Sequence, residues 1–537
     1  MRSFTPGRLF AIALLLAVAG CGTFRSPDRR VERATAHAVK GETEISTNAL
    51  TDARQSRAKA FGYEGTLRMD QDTVLHLATK HAPNLQTKRE QLYLNALSLA
   101  KKRRGYGLQF SGTLQYALGL AGPSDGHENG QLDLDVRRSL PFGGDINLTA
   151  GTTYDAVHAT GTNSEAYSTH SSAVGLLLNQ PLLAGAGYDA SHEDLIQAEH
   201  SLVYALRAFA LERQDFAIGI LSQYYQVLNQ KTIVENIRLN VQQSEFLRKR
   251  SEALFKVRRA AFIDVLRSRQ QELSAHNQLN VGETEYETQV KRFLLALGLP
   301  VETPVEMTGR IPELRTTALD EARCIDLALR RRLDLLTARN EREDAVRRLR
   351  LARNGLLPDL SVYGKADWRG EPEDKFSEQD LKEDASAGVK LSLPLDRRDE
   401  RDAVKSAEIA LDSATRDLEQ TESSVRIEIM ESFRRLNSLA ATVQIEQQNV
   451  DIATQRARNA VLRFRNGELS NRDVVEAENE LLDARNAYAQ ALIDYELQRI
   501  RLLRNVGLLD VAPDGALLEL AASDAGAADE GKDNTPR

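Results

Sequence analysis

The sequence predicts an α+β membrane protein built from two copies of one unit: helix, strands, long helix, short helix. Three observations predict it. The chain matches itself at a shift of 209 residues, two stretches alternate apolar and polar residues at period two, and two segments of about sixty residues are almost free of Gly and Pro. The self-match runs without a gap from Ala198–Gly298 onto Ala407–Gly507. Leu202 falls on Leu411, Asn240-Val241 on Asn449-Val450, Phe255 on Phe464, Asp264-Val265 on Asp473-Val474, and Tyr286 on Tyr495. Composition agrees with long helices: 27% charged residues, 6% aromatic residues and 14 Pro among 537 residues. The net charge of −7 shows no basic concentration, so nucleic acid is not an expected partner.

Residues 1–20 read as a signal peptide, outside the fold. Arg2 and Arg8 form its positive end, and Leu9 to Ala19 is an apolar run too short to span as a helix. It ends in Val18-Ala19-Gly20-Cys21, a pattern similar to a bacterial lipobox, which implies cleavage before Cys21 and a covalent lipid on its thiol. Cleavage removes both arginines and takes the net charge from −7 to −9. The only other cysteine, Cys324, excludes a disulfide framework. It corresponds to Val74 in the first half, which points to a small buried hydrophobe.

Residues 21–69 are polar and weakly periodic, as expected of a leader from a lipid anchor. The first unit is placed at 70–300, a linker at 301–319 and the second unit at 320–508. The Ala-, Asp- and Gly-rich remainder, 509–537, reads as a disordered acidic tail. Each unit opens on a helix, 71–103 and 320–353, now at an offset of 250: Leu77-Ala78 on Leu327-Ala328, Asn84-Leu85 on Asp334-Leu335, Gly105 on Gly355.

Strands follow. Leu108, Phe110, Leu114, Tyr116 and Leu118 alternate with polar or small residues. So do Leu132, Leu134 and Val136, then Ile146, Leu148 and Ala150, then Val174, Leu176 and Leu178. The second unit offers Leu360, Val362, Gly364, Ala366 and Trp368, then Val389, Leu391 and Leu393. A half-buried soluble sheet would alternate in the same way. Segment length, the short turn Pro141–Asp145 and the long polar links 119–130, 156–171 and 369–384 favour an outer-membrane barrel. Asp133, Asp135, Arg137, Lys365 and Asp367 would face its wet lumen.

The long helices span 193–255 and 403–464, and the short ones 262–297 and 471–506. At 1.5 Å per residue, a leading helix of about 50 Å and a trailing one of about 54 Å together match a long helix of roughly 93 Å. The two short helices therefore stack end to end beside the long one. Val474, Ala477, Leu481, Ala484, Tyr488, Ala491 and Tyr495 make a heptad seam. Val475, Leu482 and Ala489 make a second line beside it, so the helix packs on two sides, as in the wall of a tube.

This order of elements, given twice behind a lipobox, resembles the TolC-like outer-membrane efflux and secretion channel family. The resemblance covers roughly 70–508. Leu77–Leu85, Leu327–Leu335, Gln180-Pro181-Leu182-Leu183, Leu393-Pro394-Leu395 and the segment Phe464–Val475 carry it. It implies a homotrimer whose shared β-barrel in the outer membrane continues as a periplasmic α-helical coiled-coil tunnel. The hairpin tips would meet a periplasmic adaptor protein linked to an inner-membrane transporter. The expected function is a passive duct for tripartite efflux. Type I protein secretion is the alternative within the family, and a lipid-anchored coiled-coil scaffold without a pore is the alternative outside it.

Two departures stand out. The family usually has two strands per half, whereas the first half here has room for four. Either six strands per protomer make an eighteen-stranded barrel, or the extra hairpin lies outside the wall. The family's tip glycine is matched by Gly467, but its counterpart at 209 residues' distance is Arg258. The docking candidates are Arg258, Arg259 and Ala260 at one tip and Gly467, Glu468, Leu469 and Ser470 at the other. For Ser470 and Asp473, a capping box that starts the following helix is the competing reading. Asp264, Asp473, Glu476 and Glu480 are candidates for a periplasmic gate, where threefold symmetry would bring like charges together; solvated outer-face acids are the alternative. No catalytic constellation or metal-ligand spacing is present, so neither an enzyme nor a cofactor other than the lipid on Cys21 is expected.

Overall fold

The computed structural model describes residues 66–121, 125–159, 167–315, 320–370, 381–466 and 468–520, all within one compact unit spanning 57–537. Cys21 and Gly467 lie outside the described residues. The first unit contains β1 (Leu67–Met69), α1 (Gln71–His81), α2 (Pro83–Gly105), β2 (Gln109–Ala121), β3 (Asp125–Ser139), β4 (Asp145–Ala159), β5 (Tyr167–Pro181), α3 (Tyr188–Lys256) and α4 (Phe262–Ala296). After β6 (Val305–Met307) the second unit repeats the plan: α5 (Glu321–Arg331), α6 (Leu333–Asn354), β7 (Asp359–Gly370), β8 (Leu381–Ser392), α7 (Arg398–Asn466) and α8 (Asn471–Val506). Two short strands, β9 (Leu509–Val511) and β10 (Leu517–Glu519), close the order.

Each long helix has 69 residues, so each is roughly 104 Å long, about two turns longer than the sequence suggested. The expected stacking is present. Down α3, α2 contributes Lys102–Asp194 at 2.9 Å and Lys88–Glu212 at 3.0 Å; α4 then takes over with Arg238–Glu283 and Arg248–Glu272, both at 2.6 Å. Down α7, Arg353–Glu408 and Arg339–Glu422 from α6 give way to Gln498 of α8 on the Ser432 carbonyl. Glycines make the junction between the stacked helices possible. Gly298 has φ +76°, and a Cβ there would lie 2.3 Å from the His81 carbonyl oxygen. Gly507 has φ +79°, and a Cβ there would lie 3.1 Å from the Arg331 Cβ. Where one helix ends in left-handed geometry against the next, a side chain would collide with backbone at Gly298 and crowd Arg331 at Gly507.

Each leading helix, expected unbroken, is divided at this junction. Ala82 takes φ −64°, ψ 125°, as a residue before proline should. Arg332 adopts φ −60°, ψ 126° with no proline after it. Its guanidinium instead bonds Asp334 at 2.7 Å and Glu428 at 2.5 Å, so an ion-pair network stands where the first half has a ring. The main core lies at the same level, midway along α3 and α7, around Tyr224, Leu221, Ile429, Leu502 and Val506. Val74 and Cys324 are both fully buried there, and burial pushes the Cys324 thiol up to about 11. α8 packs on α7 along one side and meets α3 along the other through Asn236–Asn486 and Asn229–Gln490, each 2.8 Å. That is the two-sided packing its two seams implied.

Three expectations are corrected. Leu67–Met69 is not leader and Val305–Met307 is not free linker: the two pair in parallel, and Met69 and Met307 are buried. Residues 509–520 are not a disordered tail. Leu509 and Val511 are buried, Gln214 donates to the Leu509 carbonyl at 2.8 Å, and Arg499 holds Glu519 at 2.7 Å. Composition missed this because the partners lie outside the segment, Gln214 on α3 and Arg499 on the preceding α8. Residues 521–537 lie outside the described residues. Finally, the link expected over 119–130 is mostly strand, since β2 runs to Ala121 and β3 starts at Asp125.

All four first-half strands form, and they share one six-stranded sheet with the second-half pair, in the order β2-β3-β4-β5-β7-β8. The register keeps the two faces separate. Phe110, Val136, Leu148, Leu176 and Ala366 lie side by side across five strands; one residue away, Ser111, Asp135, Thr149, Gly175 and Asp367 do the same. The apolar face is bare in the single chain: Phe110 is 74% exposed, Leu114 80% and Val389 67%. Among the described residues no helix is long and apolar enough to cross a membrane.

Candidate functional site

The residues singled out in the sequence gather in two regions: the hairpin tips and the six-stranded sheet. At the first tip, α3 ends in a Schellman turn. The Arg259 N–H donates to the Leu254 carbonyl at 2.8 Å and the Arg258 N–H to the Phe255 carbonyl at 2.9 Å. Arg258 sits at φ +59°, alone among the described non-glycine residues in the left-handed region. The position that resembled the family's glycine thus keeps a glycine's backbone while carrying a guanidinium. α4 then starts at Phe262. The Asp264 carboxylate accepts the Ala261 N–H at 3.4 Å, but Ala261 has no side-chain oxygen to return the bond.

The second tip repeats the turn, with the Glu468 N–H donating to the Arg463 carbonyl at 2.9 Å. Its following cap is stronger. Asp473 accepts both the Ser470 N–H at 2.9 Å and the Ser470 hydroxyl at 2.7 Å, and these bonds hold its carboxyl below the usual carboxylate range. Asp264 and Asp473 are therefore engaged as helix caps in this chain. Glu476 and Glu480 both turn to Arg456 on α7, the former at 4.0 Å. The four acids are divided between the two hairpins, and each has a partner within its own.

Sequence reasoning missed how apolar the first tip is. Val257 is 63% exposed, Phe262 58% and Ile263 51%, with the Phe255 and Phe262 rings 5.6 Å apart. At 209 residues' distance stand Asn466, Asn471 and Arg472, so the contrast was already visible in the aligned repeats. Just above the tips the hairpins touch: Arg250 lies over the Phe464 ring at 5.2 Å, and Leu247 joins the core of the second hairpin. Among the described residues one group has metal-ligating composition, Glu245, Glu272 and His276. Cations already neutralise its carboxylates, with Arg248 2.6 Å from Glu272 and Lys249 3.6 Å from Glu245.

On the sheet, the polar face carries the expected lumen residues. Lys365 and Arg369 flank Asp367 at 2.6 and 3.8 Å. Asp133 and Asp367 stand directly across from Gly151 and Gly175, whose missing side chains leave room for the carboxylates to lie against the wall. Farther down, where sheet meets helices, a buried network joins the two repeats. Asp344 of α6 accepts from His200 at 2.6 Å, Tyr204 at 2.7 Å and Arg347 at 2.8 Å. Burial alone would raise its carboxyl, but these bonds prevail and hold it at about 2.

Comparison with known proteins agrees with this geometry. A family model described as outer membrane efflux protein matches residues 324–508, which is the second unit. Outer membrane protein TolC of Vibrio cholerae serotype O1 is 26% identical over 390 residues, covering 70% of this chain and 85% of that protein. The CmeC outer membrane channel of Campylobacter jejuni shares the fold with a TM-score of 0.60 at 13% identity, covering 86% of this chain and 89% of that one. VceC of Vibrio cholerae does so with a TM-score of 0.59 at 14% identity, covering 81% and 96%. With its duplicated hairpins, two-faced sheet and matched second unit, the chain resembles the TolC-like outer-membrane efflux proteins: its second unit matches their family model, and most of its length shares the fold of solved outer-membrane channels.

Proposed function

We propose that three copies of this chain form a passive outer-membrane export duct of a tripartite efflux system, which receives substrates from an inner-membrane pump through a periplasmic adaptor. The observation that carries this reading is the separation of faces across the whole sheet, apolar on one side and polar on the other, directly above paired helices of equal length. Such a sheet buries its apolar face in lipid and its polar face around water once its edges are closed. The duct has no chemistry of its own to perform. It lowers the barrier for polar solutes by replacing hydrocarbon with a wet, charged lumen.

In this reading the tips dock the adaptor. The first presents Arg258 and Arg259 beside Val257, Phe262 and Ile263, and the second presents Gly467, Glu468, Leu469 and Ser470. Glu476 and Glu480, tied to Arg456, would narrow the periplasmic end near the capped Asp264 and Asp473. A lipid on Cys21 would hold the leader to the membrane. The test is conductance of the purified trimer in planar bilayers, together with crosslinking from Glu468→Cys to capture the adaptor. A heat-resistant trimer that never conducts would overturn the duct in favour of a scaffold.

A further inference from the structure

The extra first-half hairpin, β3–β4, has a seat built for it. Its turn, Leu140–Gly144, lies against the loop that leads into α3: the Gly187 N–H donates to the Phe142 carbonyl at 3.2 Å, and the Ser191 hydroxyl to the Pro141 carbonyl at 2.9 Å. A Cβ on Gly143 would come within 2.4 Å of the Gly185 carbonyl oxygen, and Gly143 has φ +93°. Gly185 and Gly187 belong to a four-residue stretch, Ala184–Gly187, that has no counterpart in the second half. The two places where the repeat breaks therefore touch each other, and one receives the other.

The hairpin is also continuous with the wall. β2 pairs with β3 over the whole of its own length and β4 pairs with β5, with the apolar belt unbroken across all four. β2 rises from α2 and β8 descends to α7, so the two free edges run in opposite directions and suit antiparallel pairing between neighbouring copies. We propose that β2 of each copy pairs with β8 of the next, so that three six-stranded sheets close an eighteen-stranded barrel whose exit admits polar solutes too bulky for a twelve-stranded one. The second copy is the occupant the edges call for, because an open edge facing lipid would leave its backbone N–H and C=O groups unpaired. With strands about 4.8 Å apart and tilted about 40°, eighteen strands span a diameter of roughly 36 Å between backbones, against roughly 24 Å for twelve.

This inference rests on the export-duct reading, and two measurements separate the two. A threefold-averaged image of the purified full-length trimer in a lipid nanodisc should count eighteen strands in the wall. Twelve, with β3–β4 folded out of it, overturns the proposal. Polyethylene glycols of graded size, added only on the extracellular side during conductance recording, report the width of the mouth. Excising residues 125–159, which leaves β2 and β5 as a simple hairpin, should lower the largest size that enters by about half in mass. An unchanged cutoff overturns the proposal, and if the excised variant fails to assemble, the strand count of the intact trimer still decides. Eighteen strands with no conductance would sink the duct and leave the barrel standing.

Discussion

Along the lower half of the first hairpin, the positions between α3 and α4 are Ser244, Arg248, Ser251, Ser268 and Glu272. At the matching positions of the second, 209 residues on, stand Ala453, Ala457, Ala460, Ala477 and Leu481. The backbone plan is shared, but the chemistry holding it is not. The second hairpin closes an apolar seam with Val474, Ala477 and Leu481 all buried. The first closes on an Arg248–Glu272 ion pair and buried serines, and the Ser251 hydroxyl has no hydrogen-bond partner among the described residues. A partly buried ion pair roughly breaks even against its desolvation, whereas a packed apolar seam is a net gain. Near its tip the first hairpin is thus the less firmly held of the two. It also leans on its neighbour, lending Leu247 to the other's core and Arg250 to its Phe464 ring. The lesson is that duplication preserved height and register, which both halves must share, and released the seam, which each can solve in its own way.

The comparison can be broken first at the seam. Leu481→Glu should cost about 3–5 kcal/mol, because it buries a charge with no partner. Giving the first hairpin the second's residues, Arg248→Ala with Glu272→Leu, should be neutral or stabilising. Thermal melting of the purified trimers checks both, and a double variant that melts as early as Leu481→Glu would refute the contrast. The next test is the stacking junction. Gly298→Ala must pay for left-handed backbone and for overlap with the His81 carbonyl, about 3 kcal/mol; Gly507→Ala, with only a close Cβ contact, should cost about 1–2 kcal/mol. Equal losses of heat-resistant trimer would show that the two junctions are tighter or looser than their geometry says.

The tips sharpen the comparison at smaller scale. Arg258→Gly should stabilise the end of α3 by about 1 kcal/mol, seen as slower amide exchange there, since glycine takes φ +59° without strain. If adaptor capture falls while stability rises, the guanidinium serves docking. Ser470→Ala should cost about 1 kcal/mol, and Ala261→Ser should gain about as much by supplying the cap the first tip lacks. The smallest effect is on pH. Asp344 is held at about 2, so its stabilisation is complete above its unfolded value near 3.9 and is lost as pH falls toward 2. Asp344→Asn should flatten acid unfolding over that window.

Much of the fold was legible in the sequence because its signals were periodic and given twice. Heptad seams, strand alternation and glycine positions at fixed offsets specify element type, length and stacking. What escaped depended in part on partners far away in the sequence. No proline marks Arg332 as a helix break; its guanidinium is held between Asp334 beside it and Glu428 on another helix, and the second partner is invisible in the local sequence. The hairpin β9–β10 hid inside a polar composition because Gln214 and Arg499 secure it. At the tips, the residues singled out for charge were found beside an apolar patch, Val257, Phe262 and Ile263, that lay outside any motif.

By itself, then, the sequence determined the duplicated plan, the end-to-end stacking of short helices beside long ones and the two-faced strands, since these follow from periods and lengths that each segment carries alone. Only the tertiary structure decided that the extra hairpin joins the same sheet and rests on the Ala184–Gly187 loop. It alone showed which acids are caps or ion-pair partners, and that Arg258 stands in left-handed backbone. Those outcomes depend on which groups meet across long separations, and a pairing free energy has no value until both partners are in place.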